Sequence, residues 1–306
     1  MNPIATVVIV TRNRRDELRR ALRSAFTQSV PIEVLVIDDG STDGTAEMVR
    51  REFPLVRLEH REESRGYIVR RNEAAHVATA PIVFSLDDDA KFSSLRVVAQ
   101  TLREFDDPRI GAVAIPFRNV PQDETDHQRS PLPGVRFVTD SFIGTAHAVR
   151  RDVFLSMGGY REELVHQGEE KDLCIRLLNA GYVVRLGSSD RINHYESPVR
   201  DFARMDYYGR RNDVLFAWQN VPMPYLPLHL TATILKGALY AVTRARYPTK
   251  MFAGAWRGLM ECLSGRFPRQ PVARKTYRLH RRLRKRDALL SFLIEKNVAR
   301  LANVEG

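Results

Sequence analysis

The sequence predicts an α/β protein: an open, mostly parallel twisted sheet flanked by helices, with a C-terminal helical extension. Three observations predict it. Over the first 115 residues, short β-branched runs alternate with amphipathic stretches of helical period. The runs are apolar at nearly every position rather than at every second one, as strands buried on both faces are. From about Arg200 the strand pattern stops and helical composition takes over, broken by the Pro-rich "VPMPYLP" and "RFPRQP".

Taken in order, strands are expected at Ala5–Val10, Ile32–Asp38, Leu55–Glu59, Ile82–Asp87 and Ile110–Ile115. Helices are expected between them at "RDELRRALRSAF", "TDGTAEMVRREF", "GYIVRRNEAAHVA" and "SLRVVAQTLREF". Pro116 to Pro133 is polar and Pro-rich and reads as a long loop or flap, beyond the usual connection length. A strand follows at Ile143–Val149, then a short helix from Arg151, a helix from Glu170 to Asn179 that Gly181 terminates, and the strand "YVVRL". The proposed division is 1–220 for the α/β domain and 221–306 for a helical, basic extension.

Bulk properties narrow the class. The chain has 306 residues, 43% hydrophobic and 28% charged, as a folded globular protein does. Its two cysteines, Cys174 and Cys262, lie far apart and in no metal-ligand spacing, which argues against a disulfide scaffold or a cysteine-based zinc site. The start "MNPIATVVIV" lacks a basic n-region and a long apolar h-region, so the expected compartment is cytoplasmic. The most apolar stretch, Tyr225 to Val242, is interrupted by Pro227, His229 and Lys236, which argues for a buried or interfacial helix rather than a span. The net charge is +11, and Arg266 to Arg286 holds ten Lys or Arg and no acid. Such a segment suits an anionic surface, or is simply a solvated basic face.

Ligands of such sheets bind at the carboxyl ends of the strands. "TRNR" (Thr11–Arg14), "DDGSTDGT" (Asp38–Thr45) and "DDDAK" (Asp87–Lys91) should therefore crowd one edge. Asp87, Asp88 and Asp89 repel one another and cost desolvation. A divalent cation removes that cost and leaves coordination sites for phosphate oxygens; a solvated turn is the bland alternative. Carboxylate and phosphate oxygens suit Mn2+ or Mg2+. Asp38 and Asp39 can form a turn, or accept from an N–H of a base. Arg65, Arg70 and Arg71 surround the same mouth, where arginine matches phosphate bidentately. The Asn72 amide can hold a loop. Glu169, Glu170 and Asp172 open a helix, as ordinary capping acids or as a general base toward a hydroxyl. His194 can ligate a metal or meet a phosphate, or be a structural histidine. No G-x-G-x-x-G and no P-loop motif occurs, which weakens classical NAD binding and P-loop ATP hydrolysis.

"VVIVTRNR", "VIDDGSTDGT", "RNEAA", "SLDDDA", "GTAHAVRRDVFLSMGGY", "GEEKDLCIRLLNAGY" and "NHYESP" stand in the order found in family 2 glycosyltransferases, the inverting GT-A type. The resemblance covers roughly Ala5 to Asn220, and "DFARMDYYGRRNDVLFAWQNVP" is most like bacterial rhamnosyltransferase-like members. It implies a GT-A fold and a nucleotide-sugar donor, UDP- or dTDP-linked. Thr11 and Arg12 would line the nucleotide pocket, Asp39 with Asp38 would sit at the base and ribose, and Arg71 would approach the base or diphosphate. Asp87 would lie near the ribose, with Asp88 beside it, and Asp89 would ligate the metal with Asp87 and His194. Gly144 and Thr145 would border the sugar and acceptor. The family usually shows Glu-Asp where this chain has Glu169-Glu170, so the base role passes to Glu170, with Glu169 or Asp172 as alternatives. The implied acceptor is a carbohydrate or a lipid-linked molecule, in cell-surface polysaccharide or other glycoconjugate synthesis. The extension can pack as a helical cap on the α/β domain, the favoured reading for 226–243, and can form a homo-oligomer, while peripheral contact with the inner face of the membrane through 226–286 stays open for the basic segment; nucleic acid is not an expected partner. The rivals are a sugar-phosphate nucleotidyltransferase, which would carry a Gly-rich loop after strand one, and a nucleic-acid-binding protein using the basic tail.

Overall fold

The computed structural model describes residues 3–195 and 201–285, together with the backbone of Ala288–Leu289. Positions 196–198 of the "NHYESP" match, Arg286 of the basic run and the rest of the extension lie outside the described residues. The first half runs β1 (Ala5–Thr11), α1 (Arg15–Phe26), β2 (Ile32–Asp39), α2 (Thr45–Glu52), β3 (Arg57–Arg61), α3 (Tyr67–Val77), β4 (Ile82–Leu86), β5 (Ala90–Phe92), α4 (Val97–Arg103) and β6 (Ile110–Ala114). Then come β7 (Phe117–Asn119), β8 (Phe137–Thr139), β9 (Ala146–Arg150), α5 (Arg151–Ser156), α6 (Glu169–Ala180), β10 (Val183–Leu186) and β11 (Ile192–His194). The chain continues with α7 (Phe202–Asn220), α8 (Tyr225–Thr243), α9 (Pro248–Leu263), α10 (Arg274–Leu283) and β12 (Ala288–Leu289).

Nine strands make one sheet in the order β12-β8-β10-β6-β9-β4-β1-β2-β3, and β5-β11-β7 make a second. Strands β3, β2, β1 and β4 run parallel, as do β6 and β10. The all-apolar strand pattern has a direct cause: successive side chains point to opposite faces, and both faces are covered. Val7 and Ile9 of β1, with Val34 and Val36 of β2, join the core under α1 and α2. Val8, Leu35 and Ile37 point the other way, into the core shared with α3 and α6. Each such fully buried aliphatic side chain stabilises the fold by roughly 1.5–3 kcal/mol.

Three details differ from the sequence expectation. The third strand lies two residues later, at Arg57–Arg61, and Leu55 is 84% exposed. It is an edge strand paired only with β2, so its apolar signal is weak. The segment from Pro116 to Pro133 is not a bare flap. Its Phe117–Asn119 forms β7 beside β11, and Phe117 bridges to His127. The strand read from Ile143 begins at Ala146 and runs antiparallel between β4 and β6. It enters from the carboxyl edge, where β6 ended, so it must descend. The chain then returns to that edge before α6, which descends again ahead of the parallel β10. The first turn of α6 is thereby delivered to the edge where β1 and β4 end.

Helix α7 packs closely on α9 because glycine lines the contact. A Cβ on Gly254 would sit 2.0 Å from the Tyr207 carbonyl oxygen, and one on Gly258 would sit 2.8 Å from that of Arg211. Within this layer Arg211 pairs with buried Glu261 at 2.7 Å, and Asn212 donates to the Leu164, His166 and Gln167 carbonyls. The C-terminal helices thus brace the loop that leads into α6. No helix among the described residues is long and apolar enough to cross a membrane.

Candidate active site

The carboxyl ends of β1, β2 and β4 converge on a cleft of about 1260 Å³. Thr11, Arg12, Asp39, Arg71 and the triplet Asp87–Asp89 line it, as do Gly144, Thr145, Glu170 and His194. Asp38, Glu169 and Asp172 do not.

The acid triplet divides its labour by side-chain direction. Asp87 faces Arg71, whose Nη2 donates to its Oδ1 at 2.7 Å. Asp88 is buried, accepting from Thr11 Oγ1 at 2.8 Å and from Arg14 Nη1 at 2.9 Å. Burial pushes its carboxyl up to about 7 despite Arg14. Asp89 accepts from Arg14 at 3.0 Å, and its Oδ1 lies 3.2 Å from His194 Nε2. Burial opposes ionisation there too, but His194 and Arg14 hold Asp89 below the usual carboxylate range.

Ligand atoms of Asp87, Asp89 and His194 lie within 4.8 Å of one another. Buried Asp89 Oδ1 finds no well-aligned hydrogen-bond donor among the described residues. Two carboxylates and an imidazole form a hard, oxygen-rich donor set that fits Mn2+ or Mg2+. Asn119 sets the histidine. Its Nδ2 donates to Asp123 at 2.7 Å, so its Oδ1 faces His194 Nδ1 at 2.8 Å and accepts from it. Nε2 is then the nitrogen turned toward Asp89, in the manner of second-sphere partners that orient a ligating imidazole.

The second acidic pair separates. Asp38 is fully buried and accepts from Ser41 N and faces His60 Nδ1 at 2.9 Å, outside the cleft. This departs from its expected place beside Asp39 at the ligand, because the pleat turns consecutive side chains of β2 to opposite faces. Asp39 reaches the cleft wall but is saturated. It accepts from Ser64 Oγ, Arg65 N, Gly66 N and Arg70 Nε, which together hold it below its ordinary value against the cost of burial. Arg70 is thus a structural ion, buried and also paired with Glu73. Of the three arginines at the mouth, Arg71 alone carries its guanidinium to the acid triplet.

The first turn of α6 sends its three carboxylates to three environments. Gly168 at φ +88° precedes it and Gly181 at φ +100° ends it, both in the left-handed region that favours glycine. Asp172 is locked by Arg161 at 2.9 Å, Arg176 at 2.9 Å and Asn220 at 2.7 Å, away from the cleft. Glu169 is fully buried beneath it, 3.5 Å from Arg71 Nη1. Glu170 lines the cleft, and burial raises its carboxyl above the ordinary value against the pull of Arg71. A Cβ on Gly144 would lie 2.6 Å from Glu170 Oε1 and 2.8 Å from Arg71 Nη1, so glycine lets both side-chain ends approach and a methyl there would displace them. Thr145 beside it keeps a buried Oγ1 with no hydrogen-bond partner among the described residues.

Some residues of this site escaped the sequence reading. Arg14 stands in "TRNR", where no local signal distinguishes it as the residue that bridges Asp88 and Asp89. Asn119 sat in the expected flap. His147 and Tyr160 brace the Gly144 loop. The Tyr160 hydroxyl lies 2.9 Å from His147 Nε2, and burial holds that imidazole near 3, hence neutral. The Asn72 amide clamps Tyr160 from both sides, donating to its carbonyl and accepting from its N–H at 2.8 Å each.

Comparison with known proteins bears on the family and the fold. The family model described as "Glycosyl transferase family 2" matches residues 6–161, half of the chain. The succinoglycan biosynthesis protein ExoU of Rhizobium meliloti is 32% identical over 199 residues, 57% of this chain and 57% of its own length. The pre-mycofactocin glycosyltransferase of Mycobacterium tuberculosis is 28% identical over 221 residues, 67% of this chain and 46% of its own. The chain thus spans about half the length of these curated relatives. Among solved structures, the mannosyltransferase PcManGT from Pyrobaculum calidifontis in complex with GDP-Man and Mn2+ is similar in fold. Its TM-score is 0.57 at 20% identity, covering 100% of this chain and 89% of that one.

Proposed function

The chain belongs to glycosyl transferase family 2 and is a glycosyltransferase of the GT-A fold, and from that premise we propose that it is an inverting, cation-dependent enzyme. It moves a sugar from a nucleoside diphosphate to an acceptor hydroxyl. The observation that carries this reading is the shared cleft. The Asp87–Asp89–His194 cluster and the Glu170 carboxylate lie around one cavity, with Arg71 between them.

Asp87, Asp89 and His194 hold the cation, which when bound offsets negative charge on the diphosphate leaving group. Arg71 and Arg14 add fixed positive charge to the same wall. Thr11 and Arg12 border the nucleotide, and Asp39 positions the 63–66 loop over it. Gly144 and Thr145 border the sugar. Glu170 takes the proton from the acceptor hydroxyl, and that oxygen attacks the anomeric carbon opposite the diphosphate. One carboxylate suffices, because the diphosphate leaves without an acid, unlike the paired carboxylates of glycosidases. Glu169 and Asp172 are the weaker candidates, the first sealed beneath Glu170 and the second spent on two arginines.

We take 1–220 as the catalytic domain and 221–306 as its extension. The donor is proposed to carry uridine or deoxythymidine, and the rhamnosyltransferase-like subtype remains part of that proposal. The relative named for succinoglycan biosynthesis supports polysaccharide synthesis as the setting; a lipid-linked acceptor at the inner face of a membrane is a further part of the proposal. The test is a thermal-shift panel of nucleotide sugars with and without Mn2+, guanosine donors included. One diphosphate sugar should stabilise the fold and need the cation for most of its effect. Asp89→Ala should erase the cation dependence, while Glu170→Gln should keep binding and lose transfer. Undiminished transfer by Glu170→Gln would place the base elsewhere, and a protein that instead forms sugar nucleotides from sugar phosphates would establish the nucleotidyltransferase rival.

A further inference from the structure

We propose that the C-terminal helices carry a second binding site, a cationic pocket that takes the phosphate of an anionic phospholipid and seats the protein on a bilayer surface. The pocket has a volume of about 870 Å³ and is walled by α6, α7, α8 and α10. Eight Lys or Arg side chains line it, against the single carboxylate of Asp213. That carboxylate is already paired with Arg210 at 2.6 Å, and Lys171 stands 3.8 Å from it. The Lys171 ammonium lies 4.2 Å over the Phe216 ring. Burial, with Lys171 the next cause, holds His229 near 4 and His280 near 3, hence neutral. An excess of cations in a partly desolvated cavity is a field that an anion relieves.

The walls continue into apolar surface. Ten of the eighteen exposed large hydrophobic side chains among the described residues fall between Leu228 and Leu263. On α8, Leu228, Leu235, Leu239 and Val242 are each more than 60% exposed and share one stripe, opposite the buried Leu226, Gly237 and Ala241. Leu228 also lines the pocket, so stripe and pocket adjoin. On α9, Trp256 and Leu263 are likewise exposed, while the glycine face packs on α7. A helix pair that buries one face and shows apolar side chains on the other, beside clustered cations, matches the chemistry of a charged bilayer surface. A soluble polyanion would use the cations and ignore the stripes. A second copy would cover the stripes but set two cationic pockets near each other.

Placement gives the site a consequence. Consecutive residues of α6 point about 100° apart, so Glu170 enters the cleft while Lys171 enters the pocket. Lipid seated at Lys171 would present a membrane-held acceptor next to the base. This deepens the acceptor half of the function proposed above and rests on it; its test reads binding alone, so its failure leaves transfer at the cleft unaffected.

The test is flotation of the full chain with phosphatidylcholine vesicles, with and without about 30% phosphatidylglycerol. The wild type should float with the anionic vesicles and partition about tenfold less into neutral ones or at high salt. Arg282→Glu with Lys285→Glu, both exposed, should bring the same loss. Leu239→Ser with Trp256→Ser should weaken flotation while leaving the nucleotide-sugar thermal shift unchanged. Millimolar glycerol phosphate should not compete, which separates a lipid from a free phosphate. Equal flotation on neutral vesicles, or flotation indifferent to the charge reversals, would overturn the proposal. So would a wild type that stays unbound while Leu239→Ser and Trp256→Ser convert a dimer to a monomer, or one that retains random DNA but no vesicle.

Discussion

Asn119 shows how much of the site rests on a residue outside the Asp87–Asp89–His194 cluster. Its side-chain oxygen fixes the His194 ring while Asp123 fixes its nitrogen. Removing such an orienting partner typically costs 10–100-fold in metal affinity. Asn119→Ala should therefore raise the Mn2+ concentration for half-maximal thermal stabilisation by about 10–100-fold, with the fold intact by circular dichroism. Glu170 gives a second prediction at this scale. Burial raises its carboxyl, and a base works only when ionised, so the acidic limb of kcat/KM should lie above the ordinary glutamate value near 4.3. Arg71 pulls it down. Arg71→Met removes that cation, stabilises the neutral carboxyl, and should move the limb to higher pH. A limb that stays in place would assign the pH dependence to another group. Gly144 is equally demanding. Gly144→Ala would press a methyl against Glu170 and Arg71, and transfer should fall by about 100-fold, because a shift of about 1 Å at the reacting groups is enough.

Among the elements, α6 is the pivot. Its first turn reaches both cavities, Glu170 lining one and Lys171 the other, and its position follows from β9 descending against its neighbours. Helix α7 holds it from outside through Arg211, Asn212 and Gln219, which bond the 163–167 segment ahead of it, and α9 backs α7 through the Glu261–Arg211 pair. Their glycine contact is the vulnerable point. Gly254→Ala puts a methyl into the Tyr207 carbonyl, a backbone group with nowhere to go, and should destabilise by about 1–3 kcal/mol or more. Denaturant titration reads this as a lower midpoint. Substituting exposed Ala253 by Ser, one residue away, should leave the midpoint within about 0.5 kcal/mol of wild type.

Acid should unfold the whole molecule earlier than its carboxylates alone would require. His147 and His280 are buried, at 3% and 2% exposure, and burial holds each near 3. Their folded values lie below the unfolded value of about 6.5, so the unfolded chain binds more protons between the two. Their contribution is complete above about pH 6.5 and is lost as pH falls through that window, by roughly 2 kcal/mol each at about pH 5. His280→Gln should flatten the loss between about pH 7.5 and 5 by about that amount in urea titrations; an unchanged slope would show that His280 does not titrate on unfolding. The sequence by itself determined the alternating α/β order, the strand ends that bear acids, the glycine stop after α6 and the basic segment. These signals are local: periodicity, turn chemistry and charge all act within a few residues. Only the tertiary structure decided which of the neighbouring acids faces the cleft. Asp38 and Asp39, or Glu169, Glu170 and Asp172, are alike in composition and differ only in direction and neighbours. It alone brought Asn119 to His194 and Lys171 to α8 and α10, because those contacts join segments far apart in the chain. Their partners are chosen by how the layers pack.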